Sequence, residues 1–142
     1  MYNRTDKWVA IGSLLCACAV LAVAAWLKPS PSGYGTHTQL GLPPCAFLRV
    51  MHLPCPSCGL TTCFAWAVRL HFGNAFLANP FGILAFLLTV AVIPAALFLL
   101  WRRISFRRVM EHHYFTRAIY ATTALYFVSW FFKLTVLSSA FR

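Results

Sequence analysis

Three stretches of the chain are apolar for long enough to cross a bilayer, and most polar residues are confined to the segments between them. Residues 8–27 and 80–101 carry no charged side chain, and residues 118–137 carry only Lys133. A hydrocarbon core of about 30 Å takes roughly twenty helical residues, so each block predicts a spanning helix. The first block ends in Lys28-Pro29-Ser30-Pro31-Ser32-Gly33-Tyr34-Gly35, which cannot continue a helix and opens a loop reaching Pro43-Pro44-Cys45. A shorter apolar stretch at 46–53 then leads into Pro54-Cys55-Pro56-Ser57-Cys58-Gly59.

A helix is predicted over about 56–72, with Cys55 as its cap and Pro56 at its first position, where the missing N–H costs nothing. Arg69 and His71 fall in its last turn, complementing the helix dipole, and Gly73 is the expected stop. Asn79 is the expected cap of the next helix, with Pro80 at its first position. Pro94 lies inside that helix and predicts a kink. The cysteine-bearing helix is about 25 Å long at 1.5 Å per residue, just short of a span. It also contains Ser57, Thr61, Thr62 and Arg69, so a re-entrant or interfacial placement is preferred and a spanning one stays open. The predicted fold class is all-α. The chain, residues 1–142, is a single polytopic transmembrane helical bundle with three spans and this one short helix.

Composition sharpens that picture. At 61% hydrophobic and 10% charged residues, the chain lies outside the range of soluble domains, whose charged content is about a quarter. The first block exceeds the roughly 7–15-residue core of a signal peptide, so it is read as an uncleaved anchor. The net charge of +10 does not imply nucleic acid. Arg102, Arg103, Arg107, Arg108 and Arg117 directly follow a span, where positive-inside residues meet lipid headgroups. The expected partners are the bilayer and other membrane proteins, and the expected location is the bacterial inner membrane.

Six cysteines carry the candidate chemistry. Cys16 and Cys18 lie mid-helix, about 200° apart, and read as small apolar filler. Cys55 and Cys58 would share one side of a first helical turn, within reach of a disulfide or a shared metal. A helix N-terminus would also favour their thiolates. Cys45 sits on a proline-bounded loop able to fold back onto them. Cys63 is turned about 140° from Cys58 and is expected to face away. A closed zinc site needs four ligands, which leaves His52 or Cys63 as the remaining candidates. His112 and His113 point apart and read as interfacial. With Asp6 and Glu111 as the only carboxylates, paired acid–base catalysis and oxygen-ligand metal sites are excluded. Lys133, near its helix end, is expected to snorkel to the interface. Tyr120, Tyr126, Trp130, Phe131 and Phe132 read as packing and interface anchors.

The run Cys45-Ala46-Phe47, then Leu53-Pro54-Cys55-Pro56-Ser57-Cys58-Gly59-Leu60-Thr61, then Gly73-Asn74-Ala75 and Asn79-Pro80, resembles the small bacterial membrane family catalogued as domain of unknown function 2752. The resemblance covers about a third of the chain. It implies a multi-helix membrane protein with a cysteine site, in which Pro54, Pro56, Gly59, Thr61, Gly73, Asn79 and Pro80 shape the motif. Two positions depart from the family pattern: Ser57 replaces a glycine, and Thr62 an arginine, which leaves Arg49 as the other source of that arginine's support. No established activity comes with the family.

The reading that follows is a non-catalytic accessory or structural membrane component. Its Cys45/Cys55/Cys58 site acts as a disulfide or as a staple around a thiophilic metal such as zinc. The enzyme alternative is a thiol–disulfide oxidoreductase in which Cys55 attacks, Cys58 resolves and Cys45 relays. Metal handling or transport is the third reading, weakened by spans without the carboxylates or histidines of an ion path.

Overall fold

The computed structural model describes residues 3–51, 53–105 and 113–140, the side chains of 113–114 and 136–140 excepted. His52, Arg107, Arg108, Glu111 and His112 lie outside the described residues, and so do the expectations placed on them. Every regular element among the described residues is helical. They are α1 (Arg4–Trp26), a 3-10 turn (Thr36–Leu40), α2 (Ala46–Met51), α3 (Leu60–Ala67), α4 (Phe72–Ala78), α5 (Pro80–Arg102) and α6 (His113–Ala140).

α1 opens with a capping box. The Asn3 side chain accepts from the first-turn backbone, and Asp6 accepts from the Asn3 N–H at 2.9 Å. α1 packs along α5 through Ala10, Ala17 and Ala24, three buried alanines seven residues apart on one face. Small residues on such a face let two backbones approach closely. The pair is antiparallel: Asp6 at the start of α1 accepts from Ser105 Oγ just beyond the end of α5 (3.1 Å). At the opposite end Arg69 caps α1, donating to the carbonyls of Ala24 (3.4 Å) and Ala25 (2.8 Å). It also donates to the Ala65 carbonyl of α3 at 2.7 Å, so it serves the negative end of its own helix and that of α1 together.

Among the described residues, α1 and α5 are the helices both long and apolar enough to cross a membrane. Two described helices rather than the expected three thus meet that test, and the 28-residue α6 is not one of them. Just 17% of the apolar stretch of α1 and 11% of that of α5 are buried inside the protein, so this surface faces outward and calls for an apolar solvent. Trp8 and Trp26 stand exposed near the two ends of α1. They are about 27 Å apart along a helix, close to a hydrocarbon thickness. Trp101 is likewise exposed at the end of α5, with Arg102 over its ring at 5.3 Å.

The predicted helix over 56–72 is not one element. Residues 56–59 form turns, α3 begins at Leu60, and the chain breaks again before α4. At eight and seven residues, α3 and α4 are about 12 and 10 Å long, so neither can span. Gly59 explains the first break. It caps α3 with φ +79, and a Cβ there would lie 2.5 Å from the Ala78 carbonyl oxygen and 2.6 Å from that of Gly33. The second break is a helix-ending turn with Leu70 at φ 62 and the His71 N–H returning to the Trp66 carbonyl (3.1 Å). A leucine holds the left-handed position usually given to glycine. Gly73 therefore stops nothing: it lies inside α4, and a Cβ there would meet no neighbour.

Cys63, Phe64 and Ala67 of α3 join Ala24, Ala75, Ala78 and Phe86 in the core, with the Phe64 and Phe86 rings edge to face at 5.6 Å. Gly82 allows the contact, since a Cβ there would lie 2.6 Å from Cys63 Sγ. The core sits at one end of the α1/α5 pair and fixes α3 and α4 there.

These backbone constraints have opposite expected signs. Gly59→Ala should cost about 2–4 kcal/mol through strain and overpacking. Leu70→Gly should gain about 1 kcal/mol, because the exposed leucine contributes little packing and its backbone is strained. Gly12→Ala, inside α1 with nothing within 4 Å of the added Cβ, should gain about 0.5–1 kcal/mol from helix propensity alone and so serves as the unstrained comparison. Thermal unfolding in mild detergent measures all three.

Candidate functional site

Cys55 and Cys58 are the first and last residues of a tight turn, with the Cys58 N–H donating to the Cys55 carbonyl at 3.0 Å. The expected proximity of the pair is therefore present, but a β-turn creates it and not a helical first turn. Cys45 occupies the helix-cap role instead. Its carbonyl accepts from the Arg49 N–H at 3.1 Å as α2 begins. The loop brings this cap back over the turn, and the three sulfur atoms all lie within 4.8 Å of one another. Cys58 is buried, while Cys45 and Cys55 are half-buried.

Side chains from distant parts of the chain hold the turn. Asn79 caps α5, accepting from the Gly82 N–H at 3.1 Å, and its amide also donates to the carbonyls of Pro56 (3.3 Å) and Cys58 (3.2 Å). The predicted Asn79-Pro80 helix start is thus present, and it doubles as an anchor for the thiols. α6 supplies the remainder. Trp130 Nε1 donates to the Pro54 carbonyl at 3.0 Å, and the Tyr126 hydroxyl pairs with Ser57 Oγ at 3.0 Å. Lys133 does not snorkel: it is 5% exposed and donates to the carbonyls of Cys58 and Ala78. Two buried backbone acceptors, the Cys58 carbonyl shared with Asn79 and that of Ala78, draw the amine inward more effectively than the interface draws it out.

Sequence reasoning treated Tyr126, Trp130 and Lys133 singly. Their spacing, with Ser129, follows i, i+3, i+4 and i+7, so all four polar groups share one helix face. Ser129 completes the set by accepting from the Phe81 N–H at 3.0 Å. That polar stripe on an apolar helix was the available signal.

The loop before α2 forms the other wall. Thr36 and Thr62, both fully buried, pair through their hydroxyls at 2.8 Å. Thr62 thus ties the loop to α3. Arg49 is exposed on α2. Thr61 lines both the thiol cavity and an apolar groove against α1. Cys63 is fully buried in the core, as expected of a packing residue. Cys16 and Cys18, expected to be packed, instead lie exposed on either side of the alanine face of α1.

The thiols are not equivalent. A hydrogen bond from the Leu48 backbone pulls the Cys45 thiol below the ordinary value. Burial opposes this, while Cys55, the Phe47 backbone and Cys58 add to the lowering. Burial raises Cys55, helped by its hydrogen bond to Cys45 and the charge there. Burial pushes Cys58 up to about 11, against the attraction of Lys133. The helix terminus therefore acidifies Cys45, not the expected Cys55 and Cys58.

Residues 45–93 match the family described as "Protein of unknown function (DUF2752)". The motifs around Cys45, Cys55-x-x-Cys58 and Asn79-Pro80 all fall inside that segment. No curated protein and no solved structure matches the chain. The DUF2752 segment contains the three thiols and Asn79, whereas the loop carrying Thr36 and the α6 residues that grip the turn lie outside it.

In the reduced, metal-free protein, alkylation should follow the thiolate populations. Cys45 should react fastest at neutral pH, its rate levelling off below the ordinary thiol range. The Cys58 rate should still be climbing toward pH 11. Peptide-resolved mass spectrometry over a pH series reads this out, and superimposable profiles at the three positions would contradict the arrangement.

Proposed function

We propose that this is a multi-pass protein of the bacterial inner membrane whose Cys45, Cys55 and Cys58 bind one thiophilic d10 metal ion, zinc first among them. The ion acts as a staple, and the protein is an accessory or structural component. The observation that carries this reading is the mutual approach of three sulfur atoms within 4.8 Å. Tetrahedral thiolates at about 2.3 Å from zinc are spaced by roughly 3.8 Å, so a small closure around an ion suffices. A disulfide would use two of the three sulfurs and leave the third unexplained. Soft ligands of this kind select zinc or Cu(I) over magnesium or calcium.

The membrane arrangement in this proposal is α1 up, α5 down and α6 up, with α6 as a third span. Since α3 and α4 are too short to cross, Arg4, Lys7, Arg102 and Arg103 fall at one end and the thiols at the other. The thiol end also carries Lys28, Arg49, Arg69 and Lys133, so an outer-face site rests on the arginine cluster that directly follows α5 as the cytoplasmic mark. Val50, Met51, Leu70 and Leu77 are exposed around it and suit immersion in the headgroup region. Arg102 and Arg103 are placed to meet lipid phosphates on the inner side.

Thiol–disulfide exchange is the second reading, favoured by the unequal thiol acidities. In that case Cys45, and not Cys55, is the attacking thiolate.

The two readings separate on one preparation. Anaerobic purification in mild detergent should yield about one zinc equivalent per chain. Cys45→Ser, Cys55→Ser and Cys58→Ser should each lose the metal and several kcal/mol of stability, while Cys16→Ala and Cys18→Ala keep both. Because Cys55 and Cys58 must give up protons to bind, affinity should rise with pH through the neutral range. A metal-free protein that exchanges disulfides through Cys45 would favour the second reading instead.

A further inference from the structure

We infer that His37 is the fourth ligand of the proposed metal site, making it a closed Cys3His centre for a divalent d10 ion. This rests on the three-thiol reading and adds the residue that completes it. Two cavities of about 330 Å3 each flank the sulfur cluster. One is bordered by Cys45 and Cys58, the other by all three cysteines, and His37 lines both. The residue therefore stands over the thiols where the two cavities adjoin.

Its backbone is fixed from both sides. Thr36, the preceding residue, is locked to Thr62 of α3 at 2.8 Å and accepts from the Ser30 N–H at 3.0 Å. Gln39, two residues later, holds both backbone groups of Lys28, accepting at 3.1 Å and donating at 2.6 Å. Gly35 and Gly41 bound the 3-10 turn in left-handed conformation, so the turn is a discrete, anchored unit. The half-buried imidazole makes no hydrogen bond to the described residues, which leaves its ring nitrogens free for a ligand. Its ring nitrogens do not lie within 4.8 Å of all three sulfurs, so the imidazole must swing in toward the cluster to complete the site.

Among the described residues the alternatives for a fourth ligand are poorer. Cys63 is fully buried with its sulfur against Gly82 in the core. His71 stacks edge to face with Trp66 at 5.5 Å, away from the thiol turn. Three thiolates on a divalent ion leave one tetrahedral position, and a neutral imidazole fills it without adding charge. A site so filled is closed and structural, whereas one finished by water would be open to substrate.

Co(II) loading of the full chain in mild detergent, under anaerobic conditions, reports the donor set directly through its d–d and sulfur charge-transfer absorption. Wild type should show a tetrahedral three-sulfur, one-nitrogen spectrum. His37→Ala should shift the d–d bands and weaken zinc binding about tenfold or more, while His71→Ala changes neither. His37→Cys should restore affinity and move the spectrum to that of four sulfurs, a gain that no folding defect produces. Unchanged spectra and affinity in His37→Ala, with cobalt still bound, would overturn the role of His37 alone. Wild type that takes up neither cobalt nor zinc would overturn the metal reading together with it.

Discussion

A turn written with two prolines has more acceptors than donors, and the structure is organised around satisfying them. Pro54 and Pro56 supply carbonyls but no N–H, so neither can close a local ladder. An unpaired buried carbonyl costs about 1–3 kcal/mol. The partners come from far along the chain: Trp130 for Pro54, Asn79 for Pro56, and Asn79 with Lys133 for Cys58. Because Asn79 also caps α5, the start of that helix and the thiol turn are one object. Because Trp130 and Lys133 lie one turn apart, the rotation and depth of α6 are set by the same turn.

Gly59 shows the same economy from the backbone side. Two other chain segments pass within reach of its missing Cβ, and this crossing lets the loop before α2, the thiol turn and the end of α4 pack together. Gly82 repeats the device between α5 and α3. Around both points the core uses Ala24, Ala67, Ala75 and Ala78, so backbone closeness does the work that bulky side chains do in soluble proteins. Large apolar side chains are left for the outward surfaces of α1 and α5.

Much of this was legible in the sequence, and the failures have physical causes. Charge-free blocks located α1 and α5, because length and apolarity follow directly from bilayer thickness. Asn79-Pro80 marked a helix start, because capping is local chemistry. The three thiols were picked out together because a loop bounded by prolines has few ways to return. The single helix over 56–72 was wrong because both of its breaks depend on tertiary contacts. Gly59 is left-handed where other segments crowd it, and Leu70 is left-handed against its own preference. Gly73 misled, since glycine is the usual stop and the chain used a leucine three residues earlier. Lys133 and Trp130 could be placed on a helix but not assigned partners, because their acceptors are backbone carbonyls some 75 residues away in sequence.

Lys133 brings out the electrostatic logic of the site. A buried ammonium is stable only when its charge is met, and the chain has just two carboxylates. Asp6 is engaged at the opposite end of the α1/α5 pair. Among the described residues the groups able to carry negative charge near Lys133 are the thiols, with Cys58 directly beneath it. Three thiolates around a divalent ion carry a net charge of −1, and one lysine brings the assembly to neutrality. A neutral imidazole from His37 leaves that balance unchanged. A monovalent ion would leave the centre one charge short of neutral. At the edge of a bilayer, where unbalanced charge is most costly, the single buried lysine thus favours a divalent ion over a monovalent one.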